Sequence, residues 1–243
     1  MIAPLTFSQY IEHDYMQLES ILLSKFDFQC EIEPRLKTLH SNIYKFKELI
    51  YTLELTSQAK VDFQETINGF IEFIWLLVIG KYKTSSMTLR GSMETFAKGL
   101  VNHNSLTPDS KFSQNIDVAL KTIISNYCTE FYSGNNKTFS SIFGKIYRDQ
   151  FKQIYWDLCD IVHSRDNMFD SCTEFLEDIL EITFDKEKLS FLVNKAIKIV
   201  ESSLIILLIN EYSQINKEMN HLKLSQIIED FSEDFHPIRF FLN

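Results

Sequence analysis

The chain of 243 residues is long enough to bury a sizeable core, either as one domain or as two small ones. Its net charge of −9 at pH 7 argues against a generally basic surface for nucleic acid. It contains only 6 glycines and 4 prolines, so few residues interrupt its apolar patterns, and we predict an all-α fold: a bundle of long antiparallel helices with short connections.

The periodicity of apolar residues and the positions of helix breakers predict the helices in chain order. They are expected over about residues 6–24, 34–56, 58–82, 84–103, 112–132, 138–164, 173–183, 186–220 and 223–231. Thr6 or Ser8 is the predicted cap of the first helix, and Ser57 of the third. Pro34 suits the first turn of the second helix.

Loop signals are concentrated in two places. Asn104–Ser110 is polar and contains Pro108, which prevents a helix from continuing, and Ser133–Asn136 is the strongest turn signal of the chain. We predict a single helical domain over residues 1–243, and a domain boundary, if there is one, would fall near 104–110. The aromatic tail after Pro237 is expected to pack on the body or on a partner.

Two apolar runs are candidates for membrane-spanning segments. The run Phe70–Ile79 is too short to span a bilayer and carries Glu72, and Leu204–Ile209 is shorter still. We therefore interpret both runs as parts of central helices that are covered on most sides, and predict no contact with membranes. The first residues lack the basic region of a signal peptide.

The four cysteines (Cys30, Cys128, Cys159 and Cys172) form no CxxC pair, and no histidine lies at zinc-finger spacing. No metal or cofactor is therefore expected. Free, mostly buried thiols fit a reducing compartment, so the predicted location is cytoplasmic.

Candidate site residues lie on the predicted fourth and sixth helices. Arg90 and Glu94 are four residues apart, so they are neighbours on one flank of the apolar stripe of the fourth helix. On the sixth helix Tyr155 belongs to the apolar stripe, whereas His163 lies on its flank together with Cys159. If the two flanks face each other, Arg90, Glu94 and His163 form one polar cluster, which would be either a catalytic site or an internal brace.

These residues carry a resemblance to a known family. A helix with Leu89-Arg90-x-x-x-Glu94, followed later by a helix with Tyr155-x-x-Leu-Cys-x-x-Val-His163, resembles the HEPN superfamily, especially its Abi-like bacterial branch. The resemblance implies a bundle of long antiparallel helices and frequent dimerisation. It also implies roles in antiphage defence such as abortive infection, in toxin systems, or in RNA cleavage.

Active HEPN ribonucleases work without a metal, and an Arg and a His stabilise charge and transfer protons while the RNA 2′-hydroxyl attacks. By this resemblance, Arg90 would bind phosphate, His163 would be the general acid or base, and Glu94 would orient one of them. Tyr155 and Arg165 are weaker candidates for binding substrate.

The sequence departs from the nuclease pattern of that family, in which the His follows the Arg after four to six residues. No Arg stands at that distance before His163; the literal match, Arg35-x-x-x-x-His40, lies on the predicted second helix and has Leu36 where the family has a polar residue.

Three functions remain open. The acidic balance, the missing nuclease motif and the 21 phenylalanines favour a non-catalytic accessory subunit of a defence complex, which binds a protein partner or a second copy. The alternative is a metal-independent endoribonuclease or toxin, for which RNA would be the substrate. The third is a helical regulator whose fourth to sixth helices enclose a small ligand.

Overall fold

The structure is a computed structural model, and it describes residues 6–25, 33–130, 140–141, 143–144, 150–163, 185–218 and 224–227. All regular secondary structure in these ranges is helical, so the predicted all-α fold is confirmed. The helices are α1 (Phe7–Lys25), α2 (Glu33–Thr52), α3 (Ser57–Val78), α4 (Tyr82–His103), α5 (Phe112–Glu130), α6 (Gln153–His163), α7 (Lys186–Asn210) and α8 (Tyr212–Glu218).

Side-chain caps explain where two of these helices begin. The Thr6 hydroxyl accepts a hydrogen bond from the backbone N–H of Gln9 (3.3 Å), and the Gln9 side chain accepts one from the backbone N–H of Thr6 (2.8 Å), which is a reciprocal capping box. Thr6 is thus the cap, and it is one of the two residues that the sequence predicted for this position. At α3 the cap is Thr56, whose hydroxyl accepts from the Ala59 N–H (3.3 Å), and the prediction of Ser57 was wrong by one residue.

Helix ends were predicted less well than helix starts. The second helix ends at Thr52 and the third at Val78, each four residues earlier than predicted. Gly80 has a φ of 75°, a left-handed conformation that glycine adopts readily. A residue in this conformation cannot continue a right-handed helix, so α3 ends before it. The predicted helix 186–220 breaks in two at Glu211. The predicted helix 173–183 and the aromatic tail lie outside the described residues.

The directions of neighbouring helices follow from their contacts. In α3 and α4, Asp62 faces Asn102 and Thr66 faces Thr95, so these two helices are antiparallel. The same reasoning makes α4 antiparallel to α6. It also makes α1 antiparallel to α2, because Phe7 contacts Tyr44 and Tyr15 contacts His40. By contrast, α2 runs in the same direction as α7, because Arg35 contacts Ser190 and Asn42 contacts Glu201 further along both helices.

Phenylalanine rings form the centre of the core. The rings of Phe46, Phe63 and Phe151 each lie 5.7–5.9 Å from the ring of Phe96, measured between centroids, and all four side chains are buried. Burying each of these side chains stabilises the fold by roughly 1.5–3 kcal/mol. The aromatic content of the sequence is thus accounted for in part by the packing of α2, α3, α4 and the turn that leads into α6.

The two apolar runs differ in their surroundings. Leu204–Ile209 is buried throughout, as predicted. The run in α3 is covered on one side only, because the side chains of Ile71 and Trp75 remain 53% and 42% exposed. No described helix has the length and apolar character that would be needed to cross a membrane.

Candidate functional site

The candidate residues meet where α4 packs against α6. Arg90 and Glu94 on α4 face Cys159 and Tyr155 on α6, and each pair is one helical turn apart on its own helix. Because the two helices are antiparallel, the four side chains form two consecutive contacts, Glu94 with Tyr155 and Arg90 with Cys159. We refer to these four residues as the α4–α6 cluster.

In the first contact, the Tyr155 hydroxyl donates a hydrogen bond to Glu94 Oε1 at 2.9 Å. The Tyr155 ring stacks on Phe112, the first residue of α5, with the centroids 4.3 Å apart and the planes 15° apart. Burial, the hydrogen bond to Glu94 and the negative charge of Glu94 together raise the pKa of Tyr155 well above its ordinary value. Tyr155 is therefore a proton donor held in place at neutral pH, and not a base.

In the second contact, Arg90 Nη1 donates to the Cys159 sulfur at 3.8 Å. Its Nε lies 3.6 Å from Glu94 Oε1, which is an ion pair but too long for a hydrogen bond. This Nε is buried and has no hydrogen-bond partner among the described residues. The guanidinium thus points into the helix interface, where its side chain is only 25% exposed.

Contacts on a second side of α6 hold the same helix. The Lys195 ammonium on α7 forms an ion pair and hydrogen bond with Asp157, and Gln153 donates to the other oxygen of that carboxylate at 2.7 Å. Both partners of the ion pair are about three-quarters buried, so this pair is shielded more than an ordinary surface salt bridge. Polar contacts therefore join α6 both to α4 and to α7.

Two further predicted site residues are not placed by the structure. The backbone of His163 forms the end of α6, but its side chain and the whole of Arg165 lie outside the described residues. The predicted meeting of His163 with Arg90 therefore stays a prediction. The assignment of Arg90, Glu94 and His163 as catalytic residues, and of Tyr155 and Arg165 as substrate-binding residues, likewise stays a prediction.

The literal Arg35/His40 spacing does not bring those two side chains together. Arg35 donates to the Ser190 hydroxyl on α7, whereas His40 Nε2 lies 2.7 Å from Asp14 Oδ2 on α1. Residues five positions apart on a helix point about 140° away from each other, which explains why they reach different neighbours. His40 is buried, and its ring also contacts Tyr15 edge-on at 5.5 Å.

Sequence reasoning missed the partners that complete the cluster. Cys159 was recognised only as a residue on the flank of its helix, and Phe112 only as the start of the fifth helix. Periodicity shows which face of a helix a residue occupies, but it gives no information on the register between two helices. The contacting residues here are 43 and 69 positions apart in sequence.

The described residues contain no group of three or more His, Cys, Asp and Glu side chains that could hold a metal ion. Of the four cysteines, Cys159 is buried and Cys128 is half-buried, and both are free; burial raises the pKa of the Cys128 thiol. Cys30 and Cys172 lie outside the described residues.

No protein-family model, curated protein or solved structure matches the chain. The likeness to the HEPN superfamily accordingly rests on the two helical motifs alone, and it stays a prediction.

Proposed function

We propose that the protein is a HEPN-like, non-catalytic interaction subunit of a bacterial antiphage defence complex. The observation that supports the non-catalytic part is that the cluster residues contact one another within the helix interface. The Tyr155 hydroxyl is bonded to Glu94, and the Arg90 guanidinium points at Cys159. Cleavage of RNA needs a cation and a titrating group aimed at the place where a phosphate would sit. The defence part rests on the resemblance.

The surface supports a role in protein assembly. Trp75 and Ile71 lie one turn apart on the outer face of α3, and Trp156 is half-exposed on α6. Tryptophan is enriched at protein interfaces because its large ring loses little conformational freedom on binding. The expected partner is another protein or a second copy of this chain. RNA stays a possible partner, and the proposed compartment is the cytoplasm.

A cleavage assay tests the non-catalytic part. The purified protein is incubated with structured and single-stranded RNA in the presence of a chelator, and the products are examined for 2′,3′-cyclic phosphate ends. We expect no cleavage above that of the matched variant His163→Ala. Cleavage by the wild-type protein that is lost in both His163→Ala and Arg90→Gln would establish the alternative, a metal-independent ribonuclease.

A second assay tests the interaction part. The protein is expressed alone and together with the products of the adjacent genes, and the mass of each species is measured by light scattering after gel filtration. We expect a defined complex or dimer, which is weakened by Trp75→Gln and unaffected by Lys60→Gln, a change of an exposed residue on the same helix. A monomer under all of these conditions would refute the proposal.

A further inference from the structure

The helices α3, α4 and α6 lie side by side, with α4 in the middle. On α4, Ser92 packs against Gly69 of α3, whereas Arg90 contacts α6. Two positions on a helix are about 200° apart, so α3 and α6 lie on nearly opposite sides of α4. One side of this three-helix layer packs on the core, and we call the other side the outer face.

The outer face carries large apolar side chains that are open to solvent. They are Val61 (51% exposed) and Trp75 (42%) on α3, Met87 (48%) on α4, and Trp156 (53%) on α6. The chain contains two tryptophans, and both are in this group. Single exposed apolar side chains are normal on a protein surface, but several of them on one face indicate a binding surface.

The exposed positions on α3 are symmetric about their middle. Val61, Asn68 and Trp75 follow one another at intervals of seven residues, which is close to two helical turns, so they lie along one side of α3. When a second copy is rotated by half a turn about an axis that crosses α3 at Asn68, its Trp75 meets Val61 of the first copy, and its Val61 meets Trp75. Four exposed apolar side chains are thereby covered in two equivalent contacts.

The position of Trp156 agrees with this axis. Thr66 on α3 contacts Thr95 on α4, and the neighbouring Glu94 accepts a hydrogen bond from Tyr155 on α6. Trp156 therefore lies at nearly the same height along the layer as the middle of the exposed line on α3. An axis that crosses the layer at this height also brings the two copies of Trp156 together, so apolar residues on two separate helices define the same axis.

Charges on the outer face are complementary under the same rotation. Lys98 is partly exposed three turns after Met87 on α4, and Glu72 is exposed on α3. At the height of Trp156 the axis crosses α4 near Met93, so Lys98 lies five residues from the axis in one direction and Glu72 lies four residues from it in the other. The half-turn thus brings Lys98 of each copy to the height of Glu72 of the other. Neither residue forms an ion pair with a residue that the structure describes.

From these features we infer that the outer face binds a second copy of this chain in a symmetric dimer, with the two-fold axis at Asn68 and Trp156. A two-fold interface requires a surface that is complementary to itself under a half-turn. The lengths of the three helices and a spacing of about 8–10 Å give the outer face roughly 700 Å², close to the ~800 Å² that a stable interface buries on each partner. The inference rests on the proposed function, because it identifies the partner of the interaction subunit.

A charge exchange between copies tests the inference. Sedimentation equilibrium should show a dimer with a Kd on the order of 10 µM or tighter. Lys98→Glu and Glu72→Lys each set like charges against each other at both symmetric contacts, so each should raise the Kd at least about tenfold. An equal mixture of the two variants should form a dimer about as tightly as the wild-type protein, because every changed residue then meets the opposite charge. Glu54→Lys, the same change at an exposed residue outside the outer face, should leave the Kd unchanged.

Tryptophan fluorescence gives a second measurement of the same event. Because both tryptophans of the chain lie on the outer face, their emission should shift to shorter wavelength as the protein is concentrated through its Kd. The shift should occur at higher concentration in Lys98→Glu and return to the wild-type range in the mixture with Glu72→Lys. Thermal unfolding of each variant verifies that it is folded.

A monomer at every concentration would overturn the inference, as would a mixture of the two charge variants that associates no more tightly than either variant alone. If that monomer forms a complex with the product of an adjacent gene, the partner is a different protein and the proposed function stands. Cleavage of RNA by a dimer with the expected charge exchange would refute the proposed function and support the dimer.

Discussion

Two glycines on α4 allow a direct test of how closely α3 and α4 approach each other. A methyl group added at Gly99 would lie 2.7, 2.9 and 3.1 Å from three ring carbons of Phe63, a buried side chain that packs against Phe96. A methyl group added at Gly91 would have nothing within 4 Å. Both glycines are inside the same helix, so the change to alanine brings the same gain in helix propensity, about 1 kcal/mol.

The difference between the two variants therefore isolates the cost of the clash. We expect Gly91→Ala to raise the free energy of unfolding by about 0.5–1 kcal/mol. Overpacking costs about 1–3 kcal/mol, so Gly99→Ala should be less stable than Gly91→Ala by that amount. Urea denaturation monitored by circular dichroism measures both values, and the slope of each transition should stay unchanged. Equal stability of the two variants would refute the packing of α3 against α4 described above.

Three other predictions concern single contacts. Tyr155→Phe should lower the free energy of unfolding by about 1–2 kcal/mol because it removes the hydrogen bond to Glu94, whereas Glu94→Gln, whose amide oxygen can still accept that bond, should cost less. Since the pKa of Tyr155 is raised in the folded state, its contribution to stability is fully present below about pH 10 and is lost as the pH rises further. Alkaline unfolding measured by fluorescence should therefore depend less on pH in Tyr155→Phe than in the wild-type protein. An unchanged pH dependence would contradict this. Thr56→Ala should cost about 1 kcal/mol in thermal unfolding because the cap bond to the Ala59 N–H is lost, and Thr56→Ser should restore most of it.

Much of the fold followed from the sequence because helix formation is encoded locally. Thr6 and Ser8 are cap candidates that can be recognised in the sequence, and Thr6 caps α1 in the structure. The end of α2 was missed because Leu53, Glu54 and Leu55 favour a helix by composition, yet the chain leaves the helix there and Thr56 caps the next one. Whether the chain extends one helix or caps the next is decided by packing, and local helix propensity gives no information on packing.

Exposure was harder to predict than helicity. Phe70–Ile79 and Leu204–Ile209 are both strongly apolar, but α3 exposes Ile71 and Trp75 while the run in α7 is buried on all sides. An apolar run shows that a helix can be buried; it does not show how many neighbours the helix has. That number depends on the position of the helix in the bundle, which is settled by contacts between residues far apart in sequence.

The contacts between α4 and α6 were predicted only in part, and the reason lies in the difference between the face of a helix and its register. Periodicity placed Arg90 and Glu94 on one helix flank, and that flank does meet α6. It placed Tyr155 in the apolar stripe, where the ring indeed stacks on Phe112, but it gave no indication that the hydroxyl would reach Glu94. A shift of one helical turn, about 5.4 Å, would have left the same faces in contact and exchanged every partner.

This distinction suggests what the polar contacts of α6 contribute to the molecule. Apolar ridges on a short helix can pack against neighbours in more than one register, because leucine, isoleucine and phenylalanine make no directional bonds. The hydrogen bond from Tyr155 to Glu94 and the ion pair of Asp157 with Lys195 act in different directions, on α4 and on α7, so only one position and one rotation of α6 satisfies both. The α4–α6 cluster would then fix the end of α6 that bears His163, and the position of that histidine would depend on the same bonds whether the helix serves an assembly or a reaction.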